Sequence, residues 1–190
     1  MFNLIIFGMP GSGKGTQSLK IANKYNLGHI STGDIFRSEI KNKTELGLKV
    51  QRIIEKGCLV SDELLIEILD NAMRKFDGVK GFVFDGFPRT IRQAQELDQL
   101  LAEKNDCVSL VLALEVNNVV VLQRLLKRAA EEGRKDDTAE VIKHRLDVYN
   151  RQTSPLIEYY KNQGKFISVQ GVGSVDDIFT NVCQVVELHL

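Results

Sequence analysis

The apolar run Phe2–Phe7 leads straight into Gly8-Met9-Pro10-Gly11-Ser12-Gly13-Lys14-Gly15-Thr16, and no other feature limits this chain so strongly. A short apolar run closed by glycines, with helical periodicity behind it, reads as a buried strand turning into a helix. The turn itself carries the residues of a phosphate-binding loop. Its glycines let the backbone curl so that successive N–H groups face one anion, the helix that follows adds its positive end, and Lys14 can neutralise the outer phosphates. The spacing Gly8-x4-Gly13-Lys14 fits the P-loop pattern with one departure, Gly15 standing between the lysine and the hydroxyl residue Thr16. A plain Gly-rich turn would account for Gly8 and Gly11 but would leave the lysine unexplained.

Further short apolar runs recur at 81–84, 108–114 and 165–169, each bounded by turn residues and separated by segments of helical periodicity. That alternation predicts an α/β fold of the P-loop type: a doubly wound parallel sheet of about five strands with helices on both faces, the fifth strand placed near His29 and Ile30. Helix starts are expected at Ser61-Asp62-Glu63, Asn117-Asn118 and Ser174-Val175-Asp176-Asp177. Two stretches fit the βαβ rhythm poorly. Residues 31–60 read as an inserted helical hairpin, and residues 127–137 as a short, highly charged connection; both are candidate flaps on one domain spanning 1–190, whose core is 1–30, 61–126 and 138–190.

Charge and cysteine usage exclude several classes of partner. The 25 basic and 25 acidic residues cancel, so anion binding must come from a few arginines focused on one cleft, and nucleic acid is not an expected partner. Cys58, Cys107 and Cys183 are odd in number and scattered, as are His29, His144 and His189, so neither a disulfide framework nor a structural zinc is expected. Reduced thiols, no signal segment and no apolar stretch of about 20 residues predict a cytoplasmic protein without a membrane anchor.

Three later constellations carry chemistry. Ser31-Thr32-Gly33-Asp34 precedes Arg37 by about one helical turn and could receive a second anion, although such residues are also ordinary helix caps. Phe82-Val83-Phe84-Asp85-Gly86-Phe87-Pro88-Arg89 is an apolar strand ending in a carboxylate, a turn and an arginine; Asp85 is placed to assist a Mg²⁺ ion bridging phosphates, with Thr16 beside it. The third group is Arg128, Arg134 and Arg145, which could converge on a phosphoryl group in transfer, whereas Arg124 is expected to be solvated or salt-bridged.

Together these motifs resemble the adenylate kinases, within the nucleoside monophosphate kinases. The resemblance runs the length of the chain: the loop through Thr16, including Gly15; Ser31-Thr32-Gly33-Asp34 with Arg37; Asp85-Gly86-Phe87-Pro88-Arg89-Thr90 with Gln93; Arg128, Arg134-Lys135-Asp136-Asp137 and Arg145; and Gly171-Val172-Gly173-Ser174-Val175. It implies ATP + AMP ⇌ 2 ADP with Mg²⁺ on the donor, ATP, AMP and ADP as small-molecule partners, and a monomer. Gly11, Ser12, Gly13, Lys14, Gly15 and Thr16 would hold the ATP phosphates, Arg128 would cover ATP, and the backbone near Gly173 would meet its adenine. Thr32, Arg37, Cys58, Leu59, Val60, Gly86, Phe87, Pro88, Arg89 and Gln93 would line the AMP site, with Arg134 and Arg145 between the nucleotides. Lys14, Arg89, Arg128, Arg134 and Arg145 would form the catalytic set, residues 31–60 the AMP-binding lobe, and residues 127–137 a lid of the short form.

The choice of acceptor has its own chemistry. Adenine presents a ring acceptor beside an amino donor, and a glutamine amide answers both, which makes Gln93 a sensible adenine reader. The pyrimidine-specific relatives typically carry alanine after the serine and asparagine in the later motif, where this chain has Thr32 and Gln93. A UMP/CMP kinase of the same fold and a non-catalytic P-loop switch are the alternatives. Against the switch, Asn23-Lys24-Tyr25-Asn26 lacks the final aspartate of a guanine-reading N-K-x-D and lies too soon after Lys14.

Overall fold

A computed structural model describes residues 1–132 and 137–190. Its elements are β1 (Phe2–Phe7), α1 (Lys14–Tyr25), β2 (Gly28–Ser31), α2 (Thr32–Lys41), α3 (Glu45–Glu55), α4 (Asp62–Met73), β3 (Gly81–Asp85), α5 (Ile91–Ala102), β4 (Leu110–Glu115), α6 (Asn118–Glu132), α7 (Ala139–Val148), α8 (Pro155–Lys161), β5 (Phe166–Gln170) and α9 (Val175–Glu187). A single turn of π-helix, Tyr149–Thr153, joins α7 to α8. All five strands are parallel in the order β2-β3-β1-β4-β5. Parallel strands need crossovers, and the helices that make them cover both faces of the sheet.

The strand sequences show why. Side chains alternate across a strand, so in β1 Ile5 and Phe7 enter one apolar cluster while Leu4 and Ile6 enter the other. Phe82 and Phe84 oppose Val83 in β3 in the same way. The first cluster takes Leu65, Leu69, Leu97, Leu101 and Tyr160 from α4, α5 and α8; the second takes Ile21, Ile178 and Val182 from α1 and α9. A strand buried on both faces is built mainly of apolar residues; all six residues of β1 are buried, and its polar member, Asn3, donates from Nδ2 to the Cys107 carbonyl at 2.9 Å.

Several expected boundaries move by one or two residues. The run 108–114 begins pairing only at Leu110, opposite Leu4, and continues to Glu115, whose partner is Gln170. Within residues 31–60 the chain forms the two helices α2 and α3, and Gly47 is what lets them touch. A Cβ there would lie 2.2 Å from the Glu39 carbonyl oxygen. Ser174 accepts from the Asp177 N–H and Asn117 from the Val120 N–H, as helix caps should, but the Ser61 side chain makes no capping bond. Residues 127–132 were expected in a charged connection, yet α6 continues through them to Glu132. The reason is local: Leu125 anchors this stretch in a small cluster with Val121 and Ile142, and the residues that follow are good helix formers.

Candidate active site

In this topology β1 is central and its neighbours run to either side, so the crevice beyond its C-terminal end is where an open α/β sheet binds ligands. The glycine loop occupies that position. Gly8, Gly11 and Gly13 adopt φ of 147°, 81° and 95°, conformations that a side chain would strain. At Gly8 the crowding is also severe, since a Cβ would come within 2.5 Å of Ser12 Oγ and 2.9 Å of the Leu114 carbonyl oxygen. Lys14 opens α1 and folds back over the loop, donating from Nζ to the Gly8 and Met9 carbonyls at 2.7 and 3.0 Å. Burial lowers its pKa from 10.5 to about 8, with Asp85 opposing the shift and Arg89, Arg145 and Arg128 adding to it. Ser12 Oγ is buried without a hydrogen-bond partner, an acceptor and donor held ready inside the loop.

Around this loop the structure opens a cleft of about 1920 Å³, counting its mouth, lined by residues 10–17 together with Asp85, Arg124, Arg128 and Gly173. A second cavity, about 580 Å³, lies against α2 and α5 and is lined by Thr32, Arg37, Cys58, Leu59, Val60 and Gln93 among others. A third, about 510 Å³, sits between Lys14, Pro88 and Tyr149. Gly86, Arg89 and Arg145 line all three, so the cavities meet at one pair of guanidinium groups.

The meeting point is tightly braced. Arg89 donates from Nε to the Gly86 carbonyl at 2.7 Å, while its own carbonyl accepts from Thr153 Oγ1 at 3.0 Å, the hydroxyl supplied by the π-helical turn. Thr32 Oγ1 donates to the same Gly86 carbonyl at 3.1 Å. Gly86 has φ 78°, and a Cβ on it would press on Thr32 Oγ1 and Arg89 Nη2. Asp137, 0% exposed, accepts from Arg128 Nε and Nη2 at 2.7 and 2.9 Å and from Arg145 Nη1 at 2.8 Å. One carboxylate thus aligns two arginines on the same side of the cleft, the bidentate geometry that a guanidinium favours.

Most of the residues expected from the sequence therefore face one connected space. Phe87 does not: it is 1% exposed inside the core, and its neighbours Gly86 and Pro88 line the cavities instead. Arg134 lies outside the described residues, as do Gly133, Lys135 and Asp136. Cys58 is exposed, with Sγ 3.6 Å from His144 Nε2. Arg124 corrects the expectation of a solvated side chain. It donates from Nη1 to the Ser12 carbonyl at 3.1 Å, because α6 packs Val121 and Leu125 under the loop and turns the intervening arginine inward. Sequence reasoning also missed Asp137 as a clamp and Thr153 as a brace; each acts on a partner that spacing does not reveal.

Asp85 and Thr16 were expected to attend a Mg²⁺ ion. The Asp85 carboxylate is buried at the end of β3 and hangs over the loop, since a Cβ on Gly15 would lie 3.4 Å from its Oδ2. Among the described residues no group of three His, Cys, Asp or Glu side chains could enclose a metal. A donor set of one carboxylate and one hydroxyl fits Mg²⁺, which keeps several waters and takes its other ligands from substrate phosphates.

Comparison with known proteins agrees with this geometry. The family model described as "Adenylate kinase" matches residues 6–165. The protein named adenylate kinase from Bacteroides thetaiotaomicron is 51% identical over 187 residues, spanning 98% of this chain and 99% of that one. That of Flavobacterium psychrophilum is 46% identical over 98% of both chains, and that of Phenylobacterium zucineum 45% identical over 93% of both. A phosphate loop, a second cavity and a shared set of arginines, in a sequence half identical to such relatives over nearly its whole length, place this chain in the adenylate kinase family of phosphotransferases.

Proposed function

We propose that this protein transfers the terminal phosphoryl group of ATP reversibly to AMP, giving two ADP. The observation that carries the reading is the meeting of a donor-sized cleft and a second cavity at Arg89 and Arg145, beside Lys14. ATP lies in the larger cleft, its phosphates on the N–H groups of residues 11–16 and its adenine near Gly173. AMP lies in the second cavity against Thr32, Arg37, the segment Cys58-Leu59-Val60, the turn Gly86-Phe87-Pro88-Arg89, and Gln93. A phosphate oxygen of AMP attacks the γ-phosphorus as the bond to the β-bridging oxygen breaks, with no protein nucleophile needed. Lys14, Arg89, Arg128, Arg134 and Arg145 stabilise the charge spread over the equatorial oxygens.

Mg²⁺, when bound with ATP, would supply charge neutralisation at the phosphates, and Asp85 and Thr16 would be the residues that hold it, through water. Residues 31–60 act as the AMP-binding lobe and residues 127–137 as a short lid, the two excluding water that would otherwise hydrolyse ATP. We further propose that the protein works as a cytoplasmic monomer; its three free cysteines suit that compartment. Among the described residues no helix is long and apolar enough to cross a membrane.

Initial rates with ATP and, in parallel, AMP, GMP, CMP or UMP test the reading. AMP is the expected acceptor, and Lys14→Ala the inactive control. UMP or CMP turning over faster than AMP would overturn it.

A further inference from the structure

Gln93 is held at both ends of its amide by groups of opposite chemistry. Its Oε1 accepts the Arg89 backbone N–H at 2.7 Å, and its Nε2 donates to Asp62 Oδ1 at 2.7 Å. A backbone N–H can only donate and a carboxylate can only accept, so turning the amide over would lose both bonds and set like against like. The side chain is 1% exposed, where unpaired polar atoms are most costly, and it lines the second cavity. Asp62 is itself fixed. It is the first residue of α4, and its Oδ2 lies 3.6 Å from Arg92 Nε on α5.

We propose that Asp62 is the positioning residue for acceptor specificity: by locking the Gln93 amide it presents the base with a donor and an acceptor of fixed order, matched to adenine. The proposal rests on the reading of Gln93 as the base reader. After its two protein bonds the amide retains one Nε2 hydrogen and one Oε1 lone pair for a ligand. Adenine answers with a ring nitrogen acceptor and a 6-amino donor. Hypoxanthine, the base of IMP, has nearly the same size but carries N1–H and a 6-oxo group, reversing both polarities. A freely turning glutamine would meet either base, whereas a locked one meets IMP with two mismatches. Discrimination then comes from leaving buried polar groups unpaired rather than from pocket size.

The test uses the full chain, with kcat and KM measured for AMP and IMP against saturating ATP. Asp62→Ala is expected to raise the KM for AMP while kcat stays within about twofold. It is also expected to lower the AMP-to-IMP ratio of kcat/KM by about tenfold or more, since a hydrogen bond to a charged group is lost. Asp62→Asn, nearly isosteric, can oppose either end of the Gln93 amide and so removes the fixed polarity on that side; with the Arg89 N–H still in place it is expected to lower the ratio in the same direction but by less than alanine, and it carries the test if the alanine variant fails to fold. A merely structural role at the start of α4 would slow AMP and IMP equally, and an unchanged ratio in the folded variant overturns the proposal. Gln93→Leu on the same panel separates the two layers. If it collapses the ratio while neither Asp62 variant does, the lock is wrong and the base reading stands; if it too leaves the ratio unchanged, both fall.

Discussion

Lys14 ties the phosphate loop to pH. The lysine titrates near 10.5 in an unfolded chain but at about 8 in the folded one, where burial disfavours its charge and three arginines repel it. Between these two values the unfolded chain binds more protons than the native one, so stability rises with pH across the window from about 8 to 10.5. Below pH 8 the full cost applies, about 3 kcal/mol at 1.36 kcal/mol per unit. The side chain keeps a partly exposed flank toward the cleft, which makes that figure an upper bound.

The perturbation is Lys14→Met, which keeps the stem and removes the charge. Urea unfolding of both proteins from pH 7 to 10 should show the parent gaining about 2 kcal/mol on the variant as pH rises. Comparing the two proteins cancels other titrating groups and the constant loss of the bonds from Nζ to Gly8 and Met9. An offset that stays the same at every pH would refute the reasoning. The functional counterpart follows from the same linkage: ATP phosphates restore the charged form, so binding near pH 9 should take up a proton, measurable by calorimetry in buffers of different ionisation enthalpy.

Two further substitutions probe the frame around the lysine. Asp137→Asn keeps the shape but removes the charge that aligns Arg128 and Arg145; it should cost about 1–3 kcal/mol in urea unfolding and lower kcat at least about tenfold at saturating nucleotide. Gly8→Ala places a methyl group against the Leu114 carbonyl at a φ of 147°, and should destabilise the fold by about 2–4 kcal/mol, read as a lower unfolding midpoint with ATP binding impaired.

What could be read before the structure was in hand follows the range over which each signal acts. The phosphate loop was legible because its strand, glycines, lysine and helix are contiguous, so local backbone rules suffice. Strand cores were legible because burial on both faces favours apolar runs, as in residues 4–7 of β1 and 110–114 of β4. Their ends were not, since pairing with a neighbour, such as Glu115 opposite Gln170, decides where a strand stops. The short β2, with only four residues and a half-exposed His29, gave just a faint trace. Most of the missed site contacts are long-range; the Asp137 clamp, only nine and eight positions from Arg128 and Arg145, was hidden because it joins two helices, α6 and α7. Asp62 reaches Gln93 across 31 positions, Thr153 reaches Arg89 across 64, and Arg124 reaches Ser12 across 112. The π-helical turn that delivers Thr153 has no sequence period of its own.

Phosphoryl transfer where the cavities meet requires both nucleotides at once. The most direct test counts ADP formed per ATP consumed, with and without AMP, by chromatography of quenched samples. Two ADP are expected for each ATP lost when AMP is present, and little loss of ATP when it is absent. ADP appearing at a comparable rate without AMP, one per ATP, would mark the cleft as a hydrolase site and contradict the account.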